Sequence, residues 1–399
     1  MLLTVGLGVP LTSASAATVT STQALYAGHG VGVVTTYDLS TGCSTVYLST
    51  NMITWRDITP PLKKPPDLAK DQCTYAWTSA YFASPRDGWL LARNEGGTGT
   101  ILRRTQDGGR TWIAQPGGST GSNGGDETIS FVNATLGWRQ QFGMGSNGNY
   151  SLERSLNGGS TWALRSPDPH GSCVVAHDVF ASANVGFASV TPAPATNATH
   201  LWRTRDGGVN WSVMSLPRPS SVSSTALGLY GAPAFAGREG VVPVDYPDGS
   251  RQAVYFFVTR DGGRHWSLDR ARPRVAVAGE LHINAHSAAA QPCFGGDSTP
   301  VASGHVVIIA SAGPMTWWML QPGARGQGSV SVAVLNENHV TSAKLRELPP
   351  TRNVTALAAM NSRVALVTLP LPYGYQSTYE TSSGGSTWKM VTLPVPTES

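Results

Sequence analysis

Charge is scarce in this chain. Only 13% of its 399 residues are Asp, Glu, Lys or Arg, and the formal net charge is +4. Lysine is confined to positions 63, 64, 70, 344 and 389, and no basic run exceeds two residues. A nucleic-acid footprint needs clustered cations, so that class of partner is excluded. Helical periodicity is missing too, since no stretch repeats apolar residues at the spacing of an amphipathic helix. After the first eleven residues no apolar run approaches the ~18 positions a membrane-spanning helix needs. Neither a Cys-x-x-Cys pair nor a phosphate-cradling or dinucleotide glycine loop occurs, which removes thioredoxin, zinc-finger and nucleotide chemistry. The pair His282-x-x-x-His286 beside Glu280 is no metal site on a strand, where positions four apart lie about 14 Å from one another. No metal and no cofactor are expected.

Glycine and proline are plentiful, at 45 and 27 residues, which suits many short strands joined by turns. One stretch recurs. It reads Arg104-Thr105-Gln106-Asp107-Gly108-Gly109-Arg110-Thr111-Trp112 and returns around Asn157 and Trp162, Asp206 and Trp211, and Asp261 and Trp266. Worn copies end at Trp55 and Trp388, where Asn51 and Ser383 replace the carboxylate. A hydroxyl two places before Asp or Asn offers oxygens to the N–H groups of a tight turn. The Gly-Gly pair supplies positive φ, and the Trp packs over the turn with its indole N–H near a carbonyl. Asp107, Asn157, Asp206 and Asp261 are accordingly read as braces of turns and not as catalytic groups.

A second element precedes each copy. Phe82 to Trp89, Phe131 to Trp138 and Phe180 to Phe187 share the form Phe-x-Ser/Asn-x-x-x-Gly-aromatic, with the three Phe 49 residues apart. From each Gly-aromatic to the following Trp is 23 or 24 residues. A period near 50 residues marks a repeated supersecondary unit. The unit reads as an inner strand, a turn, a Gly-aromatic second strand, a third strand entering the corner, and a fourth after the Trp. The tryptophans at 55, 112, 162, 211, 266 and 388 leave a gap of 122 residues before the last. An eroded unit fills it, with Met315-Thr316-Trp317-Trp318 as the remnant of its corner and an insertion near Gly323–Gly328. Seven blades are expected, and six with a long insertion is the alternative.

The corner pattern resembles the Asp-box (bacterial neuraminidase) repeat of β-propellers. Its coupling to the Phe-x-Ser/Asn-x-x-x-Gly-Trp element over residues 20–395 looks like the photosystem II stability/assembly-factor-like propellers, relatives of sialidases and sortilin-type propellers. The resemblance implies an all-β propeller whose ligands meet the end opposite the corners. That end would be built from the fourth-to-first connections and the second-to-third turns. Ligand-binding candidates there are Asp71, Gln72, Asp126, Glu127, His170, Tyr246, Tyr373 and Tyr375.

The run Met1–Leu11 followed by Ala14-x-Ala16 reads as a signal peptide over residues 1–17, leaving one domain over 18–399. Four cysteines, Cys43, Cys73, Cys173 and Cys293, suit an exported protein with two disulfides. Three connectivities are open, and Cys43–Cys73 with Cys173–Cys293 is preferred. The expectation is a secreted or envelope-located monomer that binds a protein or a cell-surface glycan without catalysis. The rival is a glycoside hydrolase. It needs a trio of Arg or a pair of acids, for which Asp71 and Glu127 are the best candidates.

Overall fold

The computed structural model describes residues 20–38, 41–61, 75–94, 100–116, 127–142, 150–167, 175–191, 200–224, 229–230, 233–248, 251–269, 275–277, 281–284, 305–311, 316–322, 330–336, 339–344, 356–370 and 376–394. The repeat folds in the order its residues dictate. In the second sheet Tyr75–Phe82, Gly88–Asn94, Thr100–Thr105 and Ile113–Gln115 pair in sequence, each antiparallel to the one before. The third sheet runs Glu127–Phe131, Gly137–Phe142, Tyr150–Ser155 and Ala163–Pro167. The fourth runs Val175–Phe180, Gly186–Thr191, His200–Thr204 and Trp211–Met214. The first covers Thr20–Gly28 to Arg56–Asp57, and the last Ala356–Ala359 to Lys389–Met390. In the fifth sheet the inner strand is broken into Leu229–Tyr230 and Ala234–Ala236, both paired to Glu239–Asp248.

Among the described residues seven sheets form, each made of strands consecutive in the chain. The fold is an all-β propeller. Six sheets close on the repeated corner, and the sixth, Leu281–Asn284 to His339–Lys344, does not. Its Asn336 pairs with His339, which leaves only positions 337 and 338 between its third and fourth strands. Two residues cannot form the corner. The stretch ending Trp317-Trp318 is therefore no corner remnant, because it belongs to the second strand, Thr316–Pro322, between His305–Ser311 and Val330–Asn336. This sheet also gains a parallel strand, Leu281–Asn284, on the free edge of His305–Ser311.

First and last sheets meet to close the ring. The Thr22 and Thr378 hydroxyls lie 2.9 Å apart, and the Tyr47 hydroxyl donates to the Pro394 carbonyl at 3.1 Å. Ala27, Val34 and Met52 from one side share a core with Ala358 and Leu366 from the other. Cys43 opens the third strand of the first sheet and is disulfide-bonded. Cys73, Cys173 and Cys293 fall outside the described residues.

The second repeated element explains how neighbouring sheets hold each other. Phe131 stacks on Trp89 of the sheet before it at 3.6 Å and 2°, and Phe180 on Trp138 at 3.8 Å and 6°. The same rings cover a glycine in their own sheet, so a Cβ on Gly88, Gly137 or Gly186 would overlap Phe82, Phe131 or Phe180. Glycine is required there by close approach, since its φ is ordinary. The corner tryptophan then meets that Phe edge-on, as in Trp162–Phe131 at 6.0 Å and Trp211–Phe180 at 6.2 Å. The first sheet departs instructively. Ala27 stands where the second to fifth sheets have Phe, and the Met52 side chain occupies the space above Gly32 instead. Met52 reaches it because the worn first corner is one residue shorter and holds Met52 at φ 60°.

Overpacking a filled core costs about 1–3 kcal/mol. Gly137→Ala should therefore lower thermal stability by about that amount, while Ala134→Gly in the adjoining turn should cost less. Equal melting temperatures for Gly137→Ala and the parent would refute the stacking account.

Candidate functional site

The corners are built from their own side chains outward. Thr105 Oγ1 accepts from Gly109 N at 2.7 Å and donates to Asp107 Oδ1 at 2.8 Å. Asp107 Oδ1 also accepts from the backbone of Arg110 and Thr111, each at 2.9 Å, and Oδ2 takes the Thr111 hydroxyl at 2.6 Å. Asp206 repeats this with Val209, Asn210 and Thr204, and Asp261 with Arg264, His265 and Thr259. In the fifth sheet the His265 ring nitrogen replaces the hydroxyl, 2.6 Å from Asp261 Oδ2. Asn157 and Ser383 make the same turn as neutral groups. The glycines take positive φ, 76° and 86° at Gly108 and Gly109. The expected indole partner exists at Trp112, Trp211 and Trp388, which donate to Ile58, Gly208 and Gly385 carbonyls. Trp162 and Trp266 have buried indole N–H groups without one.

These hydrogen bonds set the electrostatics. The Thr111 hydroxyl, with backbone N–H groups and Thr105, holds the Asp107 carboxyl well below the usual range. At Asp206 and Asp261 partial burial works the other way, yet the donors of Asn210 and His265 outweigh it and both pKa values fall. A carboxylate so saturated is a poor proton donor or acceptor for a substrate.

The corners of the third and fourth sheets are also gripped by an indole of the sheet before them. Trp89 Nε1 donates to the Gly158 carbonyl at 2.9 Å, and Trp138 Nε1 to that of Gly207 at 3.3 Å. Arg104 lies over the Trp89 ring at 5.6 Å, Arg154 over Trp138 at 5.5 Å and Arg203 over Phe187 at 5.9 Å. Burial draws the Arg154 and Arg203 guanidinium pKa values down, with repulsion from Arg165 and Arg205 adding to it. Trp318 Nε1 reaches Asn361 O at 2.7 Å in the same sense. At the inner mouth of this end, Tyr26 donates to Phe82 O at 2.6 Å, and burial pushes the Tyr81 phenol up to about 12. Both phenols stay protonated at neutral pH.

The ligand-binding candidates are placed unevenly. Asp71, Gln72, Asp126, His170, Tyr373 and Tyr375 lie outside the described residues. Glu127 is the first residue of an inner strand, its side chain outside the description. Tyr246 is a correction. It belongs to Glu239–Asp248 and not to a turn, is 3% exposed, and packs edge-on to Tyr255 at 5.8 Å. Its ring packs into the core with Val242 and Val244 of the same strand, the longest among the described residues, which carries the turn beyond it. Among the described residues no group of three or more His, Cys, Asp and Glu could hold a metal ion. No helix among them is long and apolar enough to cross a membrane. Sequence reasoning missed the cross-sheet roles of Trp89, Trp138 and Arg104, although the Gly-Trp element that carries them was in view.

No protein-family model and no curated protein matches the chain. Solved structures do. A structure of YCF48 bound to a D1 peptide is 16% identical with a TM-score of 0.43, covering 79% of this chain and 81% of that one. The uncharacterized protein lmo1340 from Listeria monocytogenes EGD-e gives 9% identity and a TM-score of 0.54, over 95% and 96% of the two chains. The β-propeller domain of the Trilobed protease from Pyrococcus furiosus, described as having an open velcro topology, gives 7% and 0.53 over 94% and 98%. At such identities the likeness shows the fold alone.

Acid tests the corners. Their folded pKa values lie below the unfolded ones, so the stabilisation is complete above the unfolded value near pH 4 and is lost as pH falls below it towards the folded value. Melting temperatures taken from about pH 7 to about pH 3 should drop mainly below about pH 4. An Asp206→Asn, Asp261→Asn double variant should start lower and decline less steeply. A decline as steep as the parent's would remove these carboxylates from the acid response.

Proposed function

We propose that this chain is an exported propeller that binds a protein or a cell-surface glycan, without catalysis, at the end of the ring opposite the corners. The observation that carries this reading is the saturation of Asp107, Asp206 and Asp261 within their own turns. The most conspicuous acids of the sequence support the scaffold, so ligand contact falls to the other end, where loops can vary without disturbing the sheets. The strand ends flanking Asp71, Asp126, His170 and Tyr373 face that way, since corners join third to fourth strands and these segments join fourth to first or second to third. Export fits the leader-like start of the sequence and the disulfide at Cys43, because disulfides persist in oxidising compartments. Cys73 is the partner we assign to Cys43.

The resemblance to assembly-factor-like propellers favours a protein as the first partner to try. A glycan array and a pull-down from the envelope fraction, run beside assays for release of sugar from sialosides and other glycosides, separate the readings. Capture of one defined partner without sugar release is the expected result. Turnover that disappears in a Glu127→Gln variant would replace binding by hydrolysis. Asp206→Ala should lower the melting temperature and leave the captured partner unchanged, and a lost partner at unchanged stability would move the site to the corners.

A further inference from the structure

The third corner carries a reactive peptide step. Asn157 and Gly158 stand where the second, fourth and fifth sheets have Asp-Gly. Two more Asn-Gly steps, at 123–124 and 147–148, lie outside the described residues. Asparagine before glycine is prone to cyclise, because no Cβ shields the glycine nitrogen. That nitrogen gives up its proton to solvent base and attacks Asn157 Cγ, the Cγ–Nδ2 bond breaks, and ammonia leaves. Water then opens the succinimide at one carbonyl or the other, leaving aspartate or isoaspartate at position 157. Asn157 is exposed, so burial does not keep water and base away from it.

Hydrogen bonds protect it instead. Gly158 N, the nucleophile, donates to Thr135 O at 2.7 Å. Nδ2, the leaving group, donates to Thr161 Oγ1 at 2.8 Å. Asn157 Oδ1 accepts from the Ser155 hydroxyl at 3.0 Å and from Thr161 N at 2.9 Å. Cyclisation must take the Gly158 proton from Thr135 and swing the side chain away from Ser155 and Thr161. The same Gly158 offers its carbonyl to Trp89 Nε1 at 2.9 Å, so the reactive step and the joint between the second and third sheets share one residue.

We propose that Asn157-Gly158 is a latent self-modification site, locked by the closed corner and released when that joint opens. Its two products act differently. Aspartate at 157 finds what Asp107 finds, a hydroxyl two residues before it and a threonine hydroxyl four residues after, and it restores the corner in the form the neighbouring blades use. Isoaspartate routes the main chain through the side-chain methylene. The added atom displaces the Gly158 carbonyl from Trp89 Nε1 and leaves the joint unmade. An opening event is thereby written into the chain as a covalent mark, whatever ligand the other end of the ring takes.

Peptide mapping by mass spectrometry of the full chain, aged at mildly alkaline pH with and without guanidinium chloride, tests it. Asn157 should convert at least about tenfold more slowly in the folded chain than in denaturant. Thr161→Val, which removes the acceptor of Nδ2, should raise the folded-chain rate and leave the rate in denaturant as in the parent. After return to buffer the isoaspartyl form should melt below the parent, whereas Asn157→Asp should melt no lower than it. Equal rates of conversion with and without denaturant overturn the proposal. An isoaspartyl form that melts with the parent overturns it as well.

Discussion

An indole N–H from one blade meeting a glycine carbonyl at the corner of the next is the contact this ring depends on. Trp89 to Gly158 and Trp138 to Gly207 are its best forms. Each such hydrogen bond contributes about 1 kcal/mol, and the stacked Phe beside it adds about 0.5–1.5 kcal/mol beyond its buried area. Those sums are modest per joint. Their importance is geometric, because the indole fixes the height of the next corner while the stacked Phe fixes its angle. The corner must then present its carbonyl at one place, which is why its own oxygens are so thoroughly engaged.

The same contact accounts for the irregular joints. Phe187 takes the tryptophan position in the fourth sheet and can only stack, on Phe235 at 5.1 Å and 19°. In the last sheet Leu366 and Glu380 pair where a Trp and an Arg stand elsewhere, so nothing there can donate to the first corner. Burial raises the Glu380 carboxyl pKa, while a side-chain hydrogen bond with Trp55 of the first corner and the Lys389 charge act the other way. The closing joint relies instead on the Thr22–Thr378 and Tyr47–Pro394 contacts and on Met52. It is assembled from different parts than the joints between neighbours in the chain.

The corner was legible in the sequence because its physics is local: hydroxyl, carboxylate, two glycines and an indole all act within nine residues. Its periodicity gave the strand order as well. What could not be read was whatever depends on a partner far along the chain. Trp317-Trp318 resembles a worn corner because Thr316-Trp317 repeats the Thr-Trp step that ends several corners, yet the place of Trp318 is set by Asn361, 43 residues on. Tyr246 looked like a loop residue because Pro247, Asp248 and Gly249 follow it, but the apolar alternation of Val242 and Val244 continues through it into the core. Met52 gave no hint that it would fill the place of an absent Phe. The candidate binding residues lie chiefly in connections whose sequences do not repeat, and repetition was the only long-range signal the sequence offered.

Among the described residues every sheet is built from strands consecutive in the chain, with none lent across the seam by a distant segment. The ring therefore carries no topological memory of where translation begins. Circularly permuted versions, cut between any two neighbouring blades and spliced at the old seam, would contain the same set of complete sheets. Such a molecule can also lengthen by duplication of one unit without rewiring any other.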